Sequence, residues 1–345
     1  MAINLQHAFA TRLPTDRLPQ EEISKIMQFY RRWHESQKSL SSQYQVSREW
    51  LPIYQNYMGE TINAMLQDDQ CFVTDAFENF FRRPLSTGLH GVDFKMVERF
   101  MTPTRAPSNE DLTIFQKNCE LCLYNFVKSC PNTSIDKLQR KPVGNPYGYQ
   151  VGDIFVYPSA EFHYYCAKNI KMLLANKKNP TVLELGGGYG GLAFYLSREI
   201  PQAKIILLDL PENAALQAFY LKSQHPEKKI ILYGEAPLDS HYDILIAPNF
   251  AIDELQENSI DLTFNSYSLA ETSIETINFY VEKICKITSR FFYHLNHVYW
   301  EVSADDFPID HAKFKLIFRN PTIWNKDFRD YKIDQHEYLY CADVK

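Results

Sequence analysis

The sequence has none of the features that would assign it to a membrane, to nucleic acid or to the secretory pathway. Its longest apolar stretches, such as residues 229–233 and 244–247, fall far short of the roughly 20 residues that a bilayer-spanning helix needs. Its 36 basic residues are outnumbered by 42 acidic ones, and the net charge of −6 gives no general attraction to nucleic acid or anionic lipid. The chain does not open with a basic segment followed by an apolar core, so we expect a cytoplasmic protein.

Cysteine is scarce as well, with seven residues scattered over the chain. Such usage is typical of reduced thiols in a cytoplasmic protein. Cys119 and Cys122 form a CxxC inside a helical apolar pattern, but no second CxxC or CxxH follows at zinc-finger spacing, which favours core packing over metal or redox chemistry. Asp305 and Asp306 could bind Mg²⁺, although adjacent carboxylates are more often a solvated turn, so no metal site is predicted.

The first 150 residues are predicted to be mostly helical. Residues 21–39, for example, carry an apolar stripe at helical spacing, and no glycine-rich turn or long alternating pattern interrupts the region. A loop at 141–149, with two Pro and two Gly in nine residues, marks a boundary between an N-terminal accessory region (1–150) and a second domain (151–345). The predicted N-terminal helices cover residues 21–39, 48–66, 92–101 and 111–129.

From residue 150 onward, strand patterns alternate with helix patterns, which indicates an α/β fold with a mainly parallel sheet covered on both faces. Two stretches compete for the third strand of this sheet, 229–233 and 243–247. The second is preferred because a short helix then leads into the fourth strand, and the first becomes an insertion. The predicted strands of the sheet cover residues 181–185, 204–209, 243–247, 260–265, 290–295, 314–318 and 337–342.

The most informative stretch is TVLELGGGYGG at 181–191, which runs from an apolar strand through five glycines within six residues into a helix. Glycines there let a ligand lie against backbone N–H groups near the positive end of the helix. In an open parallel sheet, a turn at the switch point of the strand order is where a nucleotide-like ligand binds. We therefore place the functional site at this turn.

The same letters fit the patterns of two cofactors. GxGxxG at 186–191 fits a dinucleotide such as NAD, whereas ExGxGxG at 184–190 fits S-adenosylmethionine (SAM). Glu184 favours SAM, because a carboxylate two residues before the first glycine would repel a pyrophosphate and attract the ammonium and sulfonium groups. Asp209 ends the next strand, where a carboxylate meets the ribose hydroxyls of either cofactor. NAD remains the alternative.

Several motifs after residue 140 resemble those of the class I SAM-dependent methyltransferases, and among them the sugar O-methyltransferases. They are GNPYGYQV at 144–151, GGGYGGLAFYL at 186–196, DLPE at 209–212, QAFYL at 217–221 and NSYSLAE at 265–271. The resemblance implies a Rossmann-like class I methyltransferase fold with a seven-stranded, mainly parallel sheet. It also implies SAM as the cofactor and a sugar-like acceptor.

The resemblance further implies cofactor roles at the ends of successive strands. The glycine loop and its acid would hold the methionine and the ribose, and the end of the second strand would hold the ribose. The segment after the third strand would grip the adenine, and the end of the fourth strand would face the methyl group. The implied residues are Glu184, Gly186, Gly188, Gly190, Asp209, Leu210, Asn249, Phe250, Asn265 and Ser266.

A base is needed to remove the proton of an acceptor hydroxyl, since the sulfonium already activates the methyl carbon. Glu271 follows the fourth strand, His297 follows the fifth, and His163 lies on the helix before the glycine loop. Each has a structural alternative: Glu271 as a helix cap, and the histidines as hydrogen-bonded or packed residues. His294 alternates with His297 along the strand and could point into a helix layer.

Together these residues predict a SAM-dependent methyltransferase that acts on a hydroxyl of a sugar or sugar-like small molecule, with no nucleic-acid or membrane partner. Methylation of a non-sugar oxygen or nitrogen is an alternative, as are an NAD-dependent oxidoreductase and a non-catalytic scaffold. The helical N-terminal region would cover the substrate mouth or form a homodimer contact. Aromatic side chains near the pocket could stack on a ring-shaped acceptor. Those expected there are Tyr147, Tyr149, Tyr157, Tyr164, Tyr189, Tyr267, Tyr299 and Trp300.

Overall fold

The computed structural model describes residues 2–46, 50–89, 108–298, 302–324 and 334–343. Within these residues, two strands form a hairpin and eight others form one central sheet. Numbered along the chain, the strands are β1 (Tyr149–Val151), β2 (Ile154–Val156), β3 (Thr181–Leu185), β4 (Lys204–Asp209), β5 (Ile230–Leu232), β6 (Ile244–Pro248), β7 (Ile260–Ser266), β8 (Thr288–His297), β9 (Phe314–Pro321) and β10 (Gln335–Ala342).

Six neighbouring strands of the central sheet are parallel, in the order β5-β6-β4-β3-β7-β8, and β10 then runs antiparallel between β8 and β9. Without β5, the parallel strands stand in the order third, second, first, fourth, fifth, which is the doubly wound arrangement. The predicted Rossmann-like α/β fold is thereby confirmed. The sheet has eight strands rather than seven, because the stretch predicted as an insertion pairs with β6 at the sheet edge, where Ile230 lies opposite Ile244.

Within the described residues the predicted helices are observed except near residue 50, and a helix at Gln70–Glu78 was not predicted. The helix predicted over 48–66 is split, because a π-helical turn at Tyr54–Met58 separates two α-helical segments. The helix predicted over 92–101 lies outside the described residues. None of the described helices combines the length and the apolar character that crossing a membrane requires. The helices are α1 (Gln20–Lys38), α2 (Trp50–Ile53), α3 (Gly59–Leu66), α4 (Gln70–Glu78), α5 (Asn109–Ser129), α6 (Ala160–Leu173), α7 (Gly191–Glu199), α8 (Pro211–Gln224) and α9 (Ile274–Ile287).

The N-terminal helix α1 packs along α8 of the α/β fold. At one end, the Lys222 ammonium lies 2.7 Å from the Glu22 carboxylate. At the other end, the Trp33 indole N–H donates to the carbonyl of Tyr233 over 3.0 Å. The apolar stripe of α1 is buried in a cluster that continues into α7, α8 and one face of the sheet. The predicted boundary at residue 150 thus separates two parts of one continuous core.

A buried arginine connects the loop before β1 with the glycine-rich turn. Arg140 donates hydrogen bonds to the hydroxyls of Tyr189 (2.9 Å) and Tyr220 (3.0 Å) and to the carbonyl of Pro158 (2.9 Å). Tyr189 belongs to the glycine-rich turn, and its side chain is fully buried. A guanidinium buried in this way is stabilised by the polar groups around it. It therefore fixes the turn to the N-terminal part of the chain.

The tyrosines predicted to line a pocket are mostly core residues. Five of the eight lie in the buried interior, and two others, Tyr299 and Trp300, lie outside the described residues. Those five pack in the core, and their contact with an acceptor stays a prediction. They are Tyr147, Tyr149, Tyr157, Tyr164 and Tyr189.

Replacing Arg140 with alanine should lower the free energy of unfolding by about 3 kcal/mol, because two hydroxyls and a carbonyl lose their donor and a cavity forms. Urea denaturation of the purified variant measures this loss. Arg198→Ala is the matched control, because Arg198 is exposed and donates to a single carbonyl, that of Gln139. The control should lose less than about 1 kcal/mol, and equal losses in the two variants would contradict the prediction.

Candidate functional site

The glycine-rich turn after β3 packs tightly against neighbouring side chains. Gly186 has a φ of +73°, and a Cβ there would lie 2.2 Å from the Ser268 hydroxyl. Gly190 is the N-cap of α7 with a φ of +92°. At Gly191, a Cβ would lie 2.4 Å from the His163 ring. The turn therefore requires glycine both for its backbone conformation and for its close contacts.

Glu184 lies on β3 next to this turn and is only 4% exposed. A Cβ at Gly187 would lie 3.2 Å from its carboxyl carbon. Its Oε2 has no hydrogen-bond partner among the described residues. Burial raises the pKa of Glu184 to about 8, and the charge of Asp209 adds to the shift. Glu184 is thus a buried acceptor that the described part of the chain leaves unsatisfied.

Asp209, at the end of β4, accepts hydrogen bonds from four donors of the protein itself. They are the backbone N–H groups of Gly188 (3.0 Å) and Leu210 (2.8 Å) and the side-chain amides of Asn213 (3.0 Å) and Gln217 (2.9 Å). A carboxylate has about four acceptor positions, so these donors occupy it. Burial raises the pKa of Asp209 to about 6 even so. Its contact with a ribose stays a prediction.

Glu212, in the first turn of α8, is a third buried acid at this edge of the sheet. Its side chain is 2% exposed, and neither carboxylate oxygen has a hydrogen-bond partner among the described residues. Burial raises the pKa of Glu212 to about 8, and the charge of Asp209 adds to the shift. No sequence pattern singles this residue out, although it is the last letter of DLPE.

The segment predicted to grip an adenine contacts the N-terminal region. Asn249 and Phe250 follow β6, which is the strand preferred as the third. The Asn249 amide donates to the carbonyl of Tyr44 over 3.0 Å. The Phe250 ring has its centroid 6.0 Å from that of Trp33 and 6.3 Å from that of Tyr233. An aromatic group therefore surrounds Phe250, and the adenine contact itself stays a prediction.

Asn265 and Ser266 end β7, as predicted. The Asn265 amide donates to the carbonyl of Leu185 (2.9 Å) and to the Ser268 hydroxyl (2.6 Å), and its oxygen accepts from Asn296 (2.9 Å). The fully buried Asn265 therefore joins the ends of β3, β7 and β8. Ser266 is half-buried beside it. A methyl-facing role for this pair stays a prediction.

Tyr267 lies beside His297, one of the predicted catalytic residues. It follows β7 directly and has a φ of +63°, which a non-glycine residue adopts only where its surroundings enforce it. Its ring centroid is 5.8 Å from those of both Phe162 and His297. The Nδ1 of His297 lies 2.9 Å from a carboxylate oxygen of Asp334. The structure thus places a histidine–carboxylate pair beside a strained residue at the end of the sheet.

Glu271 and His163 belong to the same neighbourhood. The Glu271 carboxylate accepts a hydrogen bond from the Trp50 indole N–H over 2.8 Å. The N-cap of α9 is Ser273, so Glu271 is not the cap of that helix. The Nδ1 of His163 lies 3.4 Å from the Tyr189 hydroxyl, and its ring lies against the glycine turn. The contacts of Glu271 with Trp50 and of His297 with Asp334 could not be predicted, since each joins distant parts of the sequence.

His294 and Asp305 have structural roles. The His294 ring is fully buried and stacks on Tyr338 with ring centroids 4.6 Å apart, and burial lowers its pKa to about 3. Asp305 accepts two hydrogen bonds from Arg319. Across the described ranges, no group of three or more His, Cys, Asp or Glu side chains is arranged to hold a metal ion.

The N-terminal region covers the edge of the sheet at which these residues lie. A Cβ at Gly188 would lie 3.1 Å from the carbonyl oxygen of Leu89, so the chain before residue 90 crosses the glycine turn. Further contacts join Trp50 to Glu271 and Tyr44 to Asn249. These contacts place the N-terminal region against this edge of the sheet, and its covering of a substrate mouth stays a prediction.

Comparison with known proteins gives similarity to solved structures only. No protein-family model matches the chain, and no curated protein matches it either. It is similar to the N-methyltransferase NodS from Bradyrhizobium japonicum, which was solved with S-adenosyl-L-homocysteine (SAH). The sequence identity is 10% and the TM-score is 0.36, and the match covers 54% of this chain and 89% of NodS. It is also similar to the magnesium protoporphyrin IX methyltransferase ChlM from Synechocystis, solved with SAM, at 10% identity and a TM-score of 0.38 over 70% of this chain and all of ChlM. Similarity at this level carries no argument about activity, and the fold assignment rests on the strand order.

Because these acids are buried, we expect the unliganded protein to lose stability as the pH rises. Glu184 and Glu212 have a pKa of about 8 in the folded chain against 4.5 as the ordinary value. Between these values the folded state binds more protons than the unfolded state, so the free energy of unfolding should fall with pH. Each group contributes up to about 1.4 kcal/mol per pH unit. Urea denaturation between pH 5 and 8.5 measures the slope.

Glu184→Gln and Glu212→Gln should each flatten this slope, because glutamine does not titrate. Asp261→Asn is the control, since Asp261 is also buried but lies at the start of β7, paired with Lys177. It should keep the wild-type slope. A stability that rises between pH 5 and 8 in the wild type would contradict the prediction.

Proposed function

We propose that the protein transfers a methyl group from SAM to a hydroxyl of a sugar or sugar-like small molecule. The observation that carries this proposal is the buried, unsatisfied Oε2 of Glu184 beside the glycine turn. Buried carboxylates are favourable only when a cation or hydrogen-bond donors satisfy them. SAM offers an ammonium group and a sulfonium, whereas the pyrophosphate of NAD would add negative charge to an edge that already holds three acids.

The residues around the turn fit SAM by the chemistry of their donors and acceptors. Glu184 would accept hydrogen bonds from the ammonium of the methionine part. The aromatic group around Phe250 offers flat faces to an adenine. When bound, SAM supplies a methyl carbon activated by a positively charged sulfur. The protein then has to align the acceptor and remove its proton.

We assign the proton removal to His297. Asp334 at Nδ1 fixes the tautomer in which Nε2 accepts a proton, and it stabilises the imidazolium that forms. His297 would take the hydroxyl proton at Nε2 while the acceptor oxygen receives the methyl group that SAM would supply, with the neutral thioether of SAH as the leaving group. Glu271 and His163 would help to position the acceptor.

A sugar-like acceptor is supported by the aromatic side chains next to Tyr267. Phe162 lies between Tyr267 and Trp324, with its ring centroid 5.8 Å from each of theirs. The Trp324 indole N–H is buried and has no acceptor among the described residues. Aromatic faces suit the apolar face of a sugar ring, and a polar edge suits its hydroxyls. Trp324 would therefore donate to an acceptor hydroxyl while Phe162 packs against the ring.

Binding of SAH should stabilise the wild-type protein, because a ligand that binds only the folded state adds about 2.7 kcal/mol at a hundredfold excess over its Kd. Thermal unfolding with SAM, SAH or NAD, followed by calorimetric titration, measures the effect. Glu184→Gln should weaken SAH binding about 10- to 100-fold, because a hydrogen bond between two charged groups is lost. Asp261→Asn should bind like the wild type.

If neither SAM nor SAH raises the melting temperature of the wild type, the proposal fails. A shift with NAD alone would instead indicate a dehydrogenase. Equal affinities of the wild type and Glu184→Gln for SAH would show that Glu184 does not contribute to binding. SAM would then remain the proposed cofactor.

His297→Ala should lower turnover at least 100-fold while leaving the Kd for SAH within twofold of the wild type, because general-base catalysis contributes about 10²–10⁴-fold. Release of SAH in the presence of a panel of glycosides and amines measures turnover. Asp334→Asn should lower turnover less and change its pH profile. His241→Ala, at an exposed histidine, is the control. Unchanged turnover in His297→Ala would assign the base elsewhere.

A further inference from the structure

A buried acid on β10 lies on the same face of the sheet as the proposed base. Glu337 is paired in register with Leu295 on β8. Two residues along the same pair of strands, Gln335 is paired with His297. Residues that lie opposite each other in an antiparallel pair share one face of the sheet, and so do residues two apart along a strand. Glu337 is therefore a diagonal neighbour of His297, a relation that places two residues about 7–8 Å apart.

Glu337 is buried without a cationic partner. It is 7% exposed, and both of its carboxylate oxygens accept from the hydroxyl of Tyr165 over 3.0 Å. The Tyr293 hydroxyl donates to one of the same oxygens. Burial raises the pKa of Glu337, the two phenols lower it, and no basic side chain of the described residues contributes. Since a carboxylate has about four acceptor positions, two phenols leave room for a further donor.

A row of aromatic side chains begins at this acid. The ring of Tyr165, whose hydroxyl contacts Glu337, has its centroid 5.5 Å from that of Trp324. Phe162, one turn earlier on α6, has its centroid 5.8 Å from that of Trp324 and 5.8 Å from that of Tyr267. Burial raises the pKa of Tyr267, and the charge of Glu337 adds to the shift, which places the two ends of the row in one neighbourhood.

An acid beside aromatic faces is the combination that recognises an organic ammonium group. A cation is attracted to the face of an aromatic ring, and an ionised carboxylate in a buried position is favourable only when a positive charge or several donors compensate it. A neutral hydroxyl would supply one donor and no charge. The buried Trp324 N–H, which has no acceptor among the described residues, calls for an oxygen on the same ligand. A ligand with both an ammonium and hydroxyl groups satisfies both side chains.

We propose that the acceptor carries a protonated amino group in addition to the hydroxyl that is methylated, as an amino sugar does, and that Glu337 binds this ammonium. The assignment rests on the proposed function and narrows its substrate class. The ammonium would lie between Glu337 and the rings of Tyr165 and Trp324, and a hydroxyl of the same molecule would face His297. Glu337 thus determines specificity and takes no part in proton removal.

The test compares amino glycosides with neutral glycosides as ligands of the SAH-bound protein. The probes are methyl glycosides of hexoses, the derivatives in which an amino group replaces each hydroxyl in turn, and the N-acetyl forms of those amines. Calorimetric titration at pH 7 measures their affinities. At least one amine should bind about 10- to 100-fold more tightly than both its parent and its N-acetyl form, because only the ammonium forms a hydrogen bond between two charged groups.

Glu337→Gln should reduce this preference to less than about threefold, because the amide carries no charge. Asp261→Asn is the control, since it removes a buried acid at the start of β7, the opposite end of the sheet, and it should keep the wild-type preference. Glu337→Asp is the second variant if the glutamine variant does not fold. It keeps the charge on a shorter side chain, which should also lower the preference.

Two results overturn the assignment to Glu337 and leave the proposed function standing, provided that SAH binds. One is a wild type that binds no amine more tightly than its neutral parent. The other is an undiminished preference in Glu337→Gln or Glu337→Asp. A wild type that binds no SAH overturns both proposals.

Discussion

The hydrogen bonding of Asp209 is the constraint on which the arrangement of the site depends. This one carboxylate joins the end of β4, the glycine turn and the first half of α8 through four donors. Because those donors occupy it, the turn is fixed without a ligand. The other two acids at the same edge, Glu184 and Glu212, are left with oxygens that no described residue satisfies. The three acids of this edge therefore divide into one that the protein satisfies and two that keep an unsatisfied oxygen among the described residues.

Burial gives those two acids their chemical character. In the unliganded protein a raised pKa keeps each of them largely protonated near neutral pH, which avoids the cost of an unpaired buried charge. A bound cation or donor changes this balance, because it stabilises the ionised form. The N-terminal helices strengthen the effect, since they keep water from the edge of the sheet and so lower its effective dielectric. The helices that bury Glu184 and Glu212 would therefore also strengthen the interaction of these acids with a bound cation or donor.

Most of the fold and half of the candidate site follow from local sequence patterns. The alternation of strands and helices predicts the doubly wound sheet, and the run of glycines predicts the turn at Gly186, because both depend on residues close together in the chain. The eighth strand was missed because three apolar residues, Ile230–Leu232, do not by themselves distinguish an insertion from an edge strand. The contacts of Trp50 with Glu271 and of Tyr44 with Asn249 span more than 200 residues, and no local pattern signals them. The four hydrogen bonds that Asp209 accepts likewise depend on tertiary packing.

The contacts of the N-terminal region also distinguish the base candidates from one another. Glu271 accepts a hydrogen bond from Trp50 and so contributes to holding the N-terminal region in place. An acid that removes a substrate proton while it accepts this bond would be a weaker base, because a hydrogen bond to the ionised form lowers proton affinity. His297 has a different kind of partner, because its Nδ1 lies 2.9 Å from a carboxylate oxygen of Asp334, which belongs to the same α/β part of the chain. The Trp50 contact therefore gives Glu271 a structural role at the N-terminal region, and the identity of the base stays a prediction.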